Sequence, residues 1–456
     1  MNAVVSDPMV AKYDVAGPRY TSYPTVPYWE HTPSEEQWLE HVRTALADSS
    51  AHGAALYLHI PFCRSLCTFC GCNTRITRSH SFVAPYTQAV LAELDLYRSR
   101  LGLTRIEFGE LHFGGGTPTF MTSAELEELL EGLFARVHPR PQAAASIEVD
   151  PRVTTAAQLQ VLARYGFRRI SLGVQDFDPR VQDIVNRVQS EQQVREISEA
   201  ARALGFDSIN YDLIYGLPLQ TRASVEATMD AVCRLRPDRI ALYGYAHVPW
   251  IKPGQRRFTE IDLPQGEDRR ALYELGRERL ERAGYRQIGL DHFALESDEL
   301  WRALRAGTLH RNFMGYTTAF TGPLIGLGVS AIGDAGDAFA QNEKDLQRYQ
   351  ERVARGELPI QRGHVLDQED LVLRRHILRL MTRLQTQWER PEDRTGYLQT
   401  AIERLAEPAA DGLIELEAAH CRVTDRGRGF LRNICMAFDA RLSRRMPGKA
   451  LFSRTA

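Results

Sequence analysis

From about residue 54 the sequence alternates short β-rich segments with amphipathic helical stretches, and this alternation limits the fold more than any other feature. The β-rich segments, which run from residue 55 to residue 293, are ALYLHI, IEFGELHF, ASIEVD, RRISLGV, SINYDLIY, RIALYGYA and YRQIGLDHF. Helices between successive strands are typical of right-handed βαβ units, which build a parallel sheet. The spacing predicts an α/β fold of six or seven units, as a doubly wound sheet or as a full or partial (β/α) barrel.

Several of the helical stretches carry their own start signals. Thr122 with Glu125, and Ser190 with Gln193, have the spacing of a capping box. The stretches ASVEATMDAVCRL and EDRRALYELGRERLERAGY keep an apolar residue every three or four positions. These patterns predict amphipathic α-helices between the strands.

The two ends of the chain lack this alternation. Residues 1–50 contain the irregular segment GPRYTSYPT and one helix that begins after Ser34, so we expect an N-terminal arm. We place the barrel in residues 51–362 and a small, mainly helical C-terminal domain in residues 363–456. The last part of that domain has the pattern of a winged helix, but its arginines are balanced by acidic residues. A packing domain is therefore favoured over a DNA-binding one.

Charge and hydropathy exclude several classes of partner. The net charge of −2 gives no electrostatic basis for binding nucleic acid or an anionic membrane. The first ten residues lack the basic start and apolar run of a secretory signal, and no apolar stretch is long enough to span a bilayer. We therefore expect a cytoplasmic protein with no membrane and no nucleic-acid partner.

Four of the seven cysteines, Cys63, Cys67, Cys70 and Cys72, lie within ten residues. In a reducing compartment such a group binds metal or takes part in catalysis more often than it forms disulfides. A structural zinc site needs two Cys/His pairs, and no second pair follows. A 4Fe–4S cluster fits better, because three cysteines on one loop hold three irons and leave the fourth iron open to a small molecule. Cys72 lies only two residues after Cys70, so we interpret it as a free thiol rather than a fourth ligand.

The spacing of Cys63, Cys67, Phe69 and Cys70, directly after the first predicted strand, resembles the signature of radical S-adenosylmethionine enzymes. The resemblance implies a partial (β/α) barrel of about six units, with the site at the C-terminal ends of the strands. It also implies a 4Fe–4S cluster on the three cysteines, whose open iron chelates S-adenosylmethionine. One electron from the cluster then breaks the sulfonium bond and leaves a 5′-deoxyadenosyl radical.

A longer series of motifs resembles one family within this group, the oxygen-independent coproporphyrinogen III oxidases. In order from residue 17 to residue 435 the motifs include GPRYTSYPT, YLHIPFC, CTFCGCN, FGGGTPT, SIEVDP, LGVQDF, NYDLIYGLP, HRNF and RNIC. The resemblance implies oxidative decarboxylation of two propionates of coproporphyrinogen III to vinyl groups, which gives protoporphyrinogen IX in haem biosynthesis. It further implies a low-potential electron donor and a monomer. Cys72 is then expected near the substrate.

Two of these motifs also have simpler explanations. The three glycines of FGGGTPT let the backbone touch a ligand, but a tight strand–helix turn also explains them. Glu148 in SIEVDP can accept both ribose hydroxyls of an adenosyl group, although an N-cap or an ion pair is an equally good explanation. Lone histidines such as His112 are more often packing residues than ligands.

The family resemblance implies two S-adenosylmethionine molecules and assigns residues to each. The first would lie against Tyr57, Gly115, Glu148 and Ile332. The second would lie against Phe69, Gly116, Thr117, Gln175, Arg187, Asp212 and Ala246. We take Cys72 and Glu148 as the candidates closest to the chemistry. The chain departs from the family pattern at Met314, where the family has glutamine in HRNFQGY.

Two rival interpretations remain at this stage. A radical S-adenosylmethionine protein that carries or degrades haem would keep the cluster but lack the arm and the residues of the second cofactor. A zinc-stabilised regulator with a winged-helix tail would be colourless as purified.

Overall fold

The computed structural model describes residues 8–445 and 451–455. Residues 1–7 of the predicted arm, and residues 446–450 and 456 of the predicted C-terminal domain, lie outside the described residues. The strands, in chain order, are β1 Ala54–Ile60, β2 Phe62–Cys63, β3 Arg75–Ile76, β4 Ile106–Gly115, β5 Val137–Val149, β6 Phe167–Gln175, β7 Ser208–Tyr215, β8 Arg239–Gly244, β9 Tyr285–Gly289, β10 His292–Leu295, β11 His310–Asn312, β12 Gly315–Thr317, β13 Leu324–Leu327, β14 Ile332–Asp334, β15 Ala338–Asn342, β16 Ile360–Val365, β17 Gln385–Gln387, β18 Ile414–Leu416 and β19 His420–Val423.

The helices connect these strands and cover both ends of the chain. They are α1 Pro8–Tyr13, α2 Glu35–Asp48, α3 Val83–Leu101, α4 Ser123–Phe134, α5 Ala156–Arg164, α6 Pro179–Ile184, α7 Glu191–Ala203, α8 Arg222–Leu235, α9 Gly266–Arg282, α10 Glu299–Ala306, α11 Leu346–Ala354, α12 Gln368–Arg383, α13 Gly396–Glu403, α14 Ala406–Ala410, α15 Leu431–Met436 and α16 Ala440–Arg444. Among the described residues, no helix combines the length and the apolarity that crossing a bilayer requires.

One large sheet forms the centre of the molecule, in the order β16-β15-β14-β13-β1-β4-β5-β6-β7-β8-β10-β9. The neighbours from β13 to β8 all run parallel. The six consecutive strands β1 and β4–β8 match the predicted six units, and the sheet ends at β16 and β9 without closing. The predicted α/β fold with a partial (β/α) barrel is confirmed.

The segment YRQIGLDHF differs from the expectation of one strand. It forms the antiparallel pair β9 and β10, which adds to the edge of β8. The turn between them places Leu290 at a positive φ of 38°. Gly289 at the end of β9 is the signal that marks the reversal of the chain.

The capping signals mark the helix starts. Thr122 and Ser190 cap α4 and α7, and both capping boxes form as predicted. Ser34 caps α2 in the same way. Each box satisfies backbone donors that have no partner within the helix, which stabilises the start of the helix.

The apolar core has two main parts. The larger lies between the sheet and helices α2–α5, α7–α9 and α11. It includes the fully buried Trp38 of α2, whose indole donates to Tyr97 Oη at 2.8 Å. The smaller lies among α12–α16 and the sheet β17-β19-β18. The arm also contacts this second part, because Tyr20 Oη donates to Asp439 at 3.0 Å. We retain 1–50, 51–362 and 363–456 as a proposed division, although residues 363–365 belong to β16.

Candidate active site

A cavity of about 540 Å³ occupies the inside of the partial barrel and opens at the C-terminal ends of the strands. Twelve of the residues singled out in the sequence line it: Cys63, Cys67, Phe69, Cys70, Cys72, Gly115, Gly116, Thr117, Glu148, Gln175, Arg187 and Asp212. Its volume lies within the range of about 300–1,000 Å³ that is usual for small-molecule sites. Residues up to 149 positions apart in the sequence thus meet around one space.

The cysteine loop begins where β1 ends. The short parallel pair β2–β3 closes the loop by placing Cys63 opposite Ile76. Within the loop the Cys70 N–H donates to the Cys67 carbonyl at 3.0 Å, which forms a tight turn. Cys63 Sγ lies 3.4 Å from Thr117 Oγ1 on the neighbouring strand end. The three thiols Cys63, Cys67 and Cys70 therefore all face the cavity from one turn of chain.

Cationic groups lie against one of these thiols. Arg187 Nη1 is 3.5 Å and Arg152 Nη2 is 3.7 Å from Cys67 Sγ. Both guanidiniums place a positive charge beside the Cys67 sulfur, where the thiolate of a cluster ligand would find an opposite charge. A thiolate-held cluster requires ligands in that form.

The other thiols differ in their acidity. Hydrogen bonds from Cys72 lower the pKa of the Cys70 thiol to about 6, and the Cys72 N–H lies 3.4 Å from Cys70 Sγ. Burial raises the pKa of Cys63 to about 11. Among the described residues, no three His, Cys, Asp or Glu side chains are grouped as the ligands of one metal ion. A 4Fe–4S cube takes one cysteine for each of three irons, and the donor set of three cavity-lining thiols fits it.

On the β4–β5 side of the cavity, Glu148 is held by two donors. Its Oε2 accepts the Gly115 N–H at 3.1 Å, and its Oε1 lies 3.4 Å from His112 Nε2. His112 is oriented in turn by Ser146, whose hydroxyl lies 2.7 Å from Nδ1. Burial of the carboxylate tends to raise the pKa of Glu148, although 44% of the side chain is exposed. His112 and the Gly115 N–H outweigh this and hold the pKa below its usual value, so Glu148 is an anion.

The glycines at the end of β4 sit where side chains do not fit. Gly115 has a φ of 113°, and a Cβ there would lie 2.6 Å from the His59 ring. A Cβ on Gly116 would lie 2.7 Å from the Pro61 carbonyl. Both positions therefore require glycine, and the exposed backbone borders the cavity beside Thr117.

On the β6–β7 side, Asp212 has only neutral partners. Ser171 Oγ donates to Asp212 Oδ2 at 2.7 Å and Asn210 Nδ2 donates to Oδ1 at 3.0 Å. Burial raises the pKa of Asp212 to about 6, because neither donor carries a charge that would compensate. Asp212 is therefore protonated more easily than Glu148, whose pKa is lowered.

Arg187 links this side to the cysteine loop. Its guanidinium donates to the Gly173 carbonyl at 2.6 Å and lies 3.3 Å from Asp150 Oδ2. Asp150 also accepts two hydrogen bonds from Arg152, at 2.9 and 2.6 Å. Gln175 is the last residue of β6, two positions after Gly173. It has a φ of 66°, which is a strained conformation for a residue with a side chain.

Three of the predicted site residues do not line the cavity, namely Tyr57, Ala246 and Ile332. Tyr57 stacks on His112 with ring centroids 5.9 Å apart, and therefore lies behind the Glu148 side of the wall. Ala246 shares one donor with Phe69, because Gln255 Nε2 binds both carbonyl oxygens, at 3.1 and 2.9 Å. Ile332 starts β14, and its backbone lies against Gly326, which pairs with Tyr57.

Met314 does line the cavity. It lies in the turn of the β11–β12 hairpin, where its N–H donates to Asn312 Oδ1 at 2.8 Å. The hairpin thus places Met314 in the cavity wall, and this is the position at which the chain departs from the family pattern.

The residues that support the predicted ones are His112, Asp150, Arg152, Ser171 and Asn210, and of these only His112 is named from the sequence, as a packing residue. All of these line the cavity: His112 binds Glu148, Asp150 binds Arg187, Ser171 and Asn210 bind Asp212, and Arg152 binds Asp150. The signal that was available for Asp150 and Arg152 is their position directly after β5, since polar residues at parallel strand ends meet at one edge. For His112 the signal was its alternation with Glu110 and Gly114 along β4.

Comparison with known proteins gives the same fold and the same family. The model of the radical SAM superfamily matches residues 57–232. The oxygen-independent coproporphyrinogen III oxidase of Pseudomonas aeruginosa is 42% identical over 440 residues, which cover 94% of this chain and 95% of that protein. The corresponding protein of Helicobacter pylori is 37% identical and covers 98% of both chains.

A solved structure shows that the whole architecture is shared. The coproporphyrinogen III oxidase of Escherichia coli, described as a radical SAM enzyme, superposes with a TM-score of 0.87 at 39% identity. The match covers 96% of this chain and 99% of that one. The chain belongs to the oxygen-independent coproporphyrinogen III oxidase family of radical S-adenosylmethionine enzymes.

Proposed function

We propose that this chain decarboxylates two propionates of coproporphyrinogen III to vinyl groups without oxygen, giving protoporphyrinogen IX in haem biosynthesis. The observation that carries this proposal is the meeting of three thiols with Glu148, Arg187 and Asp212 around one cavity. That arrangement occurs in a chain that matches the named oxidases over almost its whole length.

We assign Cys63, Cys67 and Cys70 as the ligands of a 4Fe–4S cluster, which leaves one iron for S-adenosylmethionine. When bound, these two cofactors supply the radical chemistry that removes a hydrogen atom from each propionate. Arg152 and Arg187 support the assignment, because they place positive charge beside the Cys67 sulfur, where an anionic cluster would lie.

We propose that the cavity holds two S-adenosylmethionine molecules, one on each side. The ionised Glu148, with Gly115 close by and Tyr57 and Ile332 behind, would accept the ribose hydroxyls of the first. Gly116, Thr117 and Gln175 would contact the second, together with Arg187, whose planar guanidinium suits a carboxylate. Asp212 would accept hydroxyl donors of that molecule, with Phe69 and Ala246 beside it.

Cys72 is proposed as a group that acts near the substrate rather than as a ligand. It lines the cavity beside Cys70 and is exposed, so a substrate can reach it. Its backbone N–H already supports Cys70 Sγ, and this contact does not require its own thiol to bind iron.

We infer a monomer in the cytoplasm that works with a low-potential electron donor and has no nucleic-acid or membrane partner. All seven cysteines are free thiols, as a reducing compartment would keep them. The balanced net charge of −2 supports the absence of a nucleic-acid partner.

Anaerobic turnover tests the proposed function. The reconstituted protein is incubated with dithionite, S-adenosylmethionine and coproporphyrinogen III, and the released CO₂, 5′-deoxyadenosine and porphyrin product are measured. We expect two CO₂ for each protoporphyrinogen formed, and none from the matched variant Cys67→Ala. A protein that carries a full cluster and cleaves S-adenosylmethionine but forms no vinyl group would contradict the proposal.

A further inference from the structure

The substrate of the proposed reaction carries four propionates, of which only two react, and this inference rests on that proposed function. In coproporphyrinogen III the reacting propionates lie on rings A and B, and the retained ones lie on the adjacent rings C and D. The retained carboxylates stay ionised from substrate to product. A carboxylate that loses water on binding needs a charged or hydrogen-bonding partner. The protein therefore needs positive charge for groups that take no part in the chemistry.

The arginines that line the inner cavity already contact carboxylates of the protein. Four of them have such a partner, in the pairs Arg152–Asp150, Arg187–Asp150, Arg169–Glu299 and Arg239–Glu299. Arg64 is the fifth arginine of the wall, and it is exposed on the cysteine loop. The inner wall, as far as the structure describes it, therefore has little positive charge left for a further anion.

The cavity opens beside Cys72, which lines it and is exposed. Lysines from two distant segments meet at this point. Lys252 Nζ donates to the Cys72 carbonyl at 3.0 Å. The side chain of Asn73 donates to the Lys344 carbonyl at 3.0 Å, which fixes the Lys344 segment against the residue after Cys72. An ammonium has three N–H donors, so Lys252 keeps two of them for a ligand.

The groups that act on Lys344 are themselves cations. The pKa of Lys344 is held below its usual value by burial and then by the positive charges of Arg362 and Lys252. The acidic residues next to Lys344 in the sequence are engaged elsewhere. Glu343 pairs with an arginine at 3.4 Å, and Asp345 accepts a backbone N–H of α11 at 2.9 Å. A bound carboxylate would therefore relieve the repulsion between these cations.

Lysine is rare in this chain, which makes its position informative. The sequence holds four lysines among 56 Lys and Arg residues, at positions 12, 252, 344 and 449. Of the three in the part of the chain that the structure describes, Lys12 alone forms ion pairs, with Glu407 and Asp411. The other two both lie at the opening of the cavity. An ammonium is a compact charge on a flexible stem, which suits carboxylates on flexible propionate arms.

We propose that Lys252 and Lys344 bind the two propionate carboxylates that the reaction leaves intact. Each contact is a charge-assisted hydrogen bond, which is stronger than a neutral one. Because rings C and D are adjacent, holding their propionates at the opening turns rings A and B inwards. Cys72, Glu148 and Asp212 line the space that those two rings then enter. The two lysines thereby decide which propionates reach the reacting end of the cavity.

The test compares the substrate with the product, because both carry the retained propionates and only the substrate carries the reacting ones. The Kd values of coproporphyrinogen III and protoporphyrinogen IX are measured by anaerobic equilibrium dialysis of the iron-loaded protein without S-adenosylmethionine. In Lys252→Gln/Lys344→Gln we expect about tenfold weaker binding of both ligands, with a smaller difference at high salt.

Dithionite-driven turnover gives a second readout. The retained carboxylates do not change in the transition state, so removal of their partners should raise the KM for coproporphyrinogen about tenfold and keep kcat within about threefold. Iron content and S-adenosylmethionine binding should equal those of the unmodified protein. A fall in kcat with an unchanged KM would overturn the proposal, because the lysines would then act on the chemical step.

Two further variants separate local charge from net charge. Lys252→Arg/Lys344→Arg keeps both charges and should bind both ligands within about threefold of the unmodified protein. The matched control Arg164→Gln/Arg282→Gln removes two charges that are 59% and 71% exposed at the ends of α5 and α9. These helix ends lie next to the starts of the following strands, away from the opening, so the control should bind both ligands normally.

The outcomes of the dialysis distinguish the proposal from its rivals. If the glutamine variant binds the substrate more weakly but the product normally, the lysines hold the reacting propionates, and the proposal is wrong. Equal weakening in the Arg164→Gln/Arg282→Gln control would also overturn it, because the effect would then be one of net charge. An unmodified protein that binds both ligands through the lysines but forms no vinyl group would support this site and contradict the proposed function.

Discussion

Glu148 on the β4–β5 side of the cavity and Asp212 on the β6–β7 side have pKa values that are shifted in opposite directions. On the β4–β5 side, Glu148 accepts from a backbone N–H and contacts His112, and its pKa is held low. On the β6–β7 side, Asp212 accepts from a hydroxyl and an amide, and burial raises its pKa to about 6. The difference shows that the partners, more than the position at a strand end, set the charge of each group.

The arginines beside the cysteine loop contact neither Glu148 nor Asp212. Arg152 follows β5 and Arg187 follows α6, and both bind Asp150. Their remaining donors face Cys67. Neither carboxylate is therefore paired with an arginine, and the protein holds each by two hydrogen-bond contacts.

The largest expected effect is the loss of bound iron when a thiol of the cysteine loop is removed. Cys63 touches Thr117 on one side and Cys67 touches Arg187 on the other, so loss of either thiol should abolish bound iron. We predict that Cys63→Ala, Cys67→Ala and Cys70→Ala purify without the brown colour, as measured by iron, sulfide and absorbance.

Cys72→Ser is the matched control for these variants. It should keep the cluster but lose turnover, because we propose Cys72 as a free thiol near the substrate. Iron loss in Cys72→Ser equal to that in Cys70→Ala would make Cys72 a ligand, and full iron content in Cys67→Ala would refute the assigned set.

The second prediction concerns the negative charge of Glu148 on the β4–β5 side. Glu148→Gln keeps the size of the side chain but removes its charge, and hydrogen bonds to charged groups contribute about 1.5–3 kcal/mol. We therefore expect the affinity for the first S-adenosylmethionine to fall by about tenfold to a hundredfold. Equilibrium dialysis of the anaerobic protein measures it, and unchanged binding would exclude Glu148 from the site.

The third prediction compares the two carboxylates by the stability of the cofactor-free chain. Because the pKa of Asp212 is raised, ionising this group lowers the free energy of unfolding. This cost is absent below the unfolded pKa of Asp212 and is fully present above its folded pKa of about 6. Asp212→Asn should therefore raise the apparent Tm at pH 8 and not at pH 4. We expect about 1 kcal/mol, because the open cavity admits solvent.

Glu148→Gln should change the Tm in the opposite direction from Asp212→Asn. The lowered pKa of Glu148 gives stability that is present above its unfolded pKa and is lost as the pH falls through its folded pKa. At pH 8 this variant should lower the Tm that Asp212→Asn raises. Shifts of the same sign in calorimetric scans of both variants would contradict the difference between the two sides.

The smallest expected effect is at Met314. A thioether is a weak acceptor, whereas the glutamine of the family both donates and accepts. Met314→Gln should tighten binding of the second S-adenosylmethionine by at most about threefold to tenfold, the value of one neutral hydrogen bond. A loss of binding in this variant would show that the β11–β12 hairpin has adapted to methionine.

The alternation of strands and helices was enough to predict the parallel sheet, and the cysteine spacing was enough to predict the loop that faces the cavity. The sequence could not show that His112 would meet Glu148, because that contact depends on β4 pairing with β5 so that His112 lies opposite Ser146. The contact of Arg187 with Cys67 spans 120 positions. Such contacts follow from packing and register, which local patterns do not encode.

Local patterns also missed one reversal of the chain. Leu290 and Asp291 form the turn between β9 and β10, and Gly289 directly before them was the only local turn signal in this segment. The turn is stabilised by the edge of β8, which pairs with β10. Sequence periodicity cannot distinguish one long strand from a hairpin in such a case.

The number of S-adenosylmethionine molecules bound per chain tests the central claim most directly. Equilibrium dialysis of the anaerobic, iron-loaded protein at pH 8 should give two molecules per chain, one for each side of the cavity. Asp212→Asn should weaken only the second, and Glu148→Gln only the first. A saturating stoichiometry of one in the unmodified protein, without any divinyl product under reducing conditions, would contradict the account.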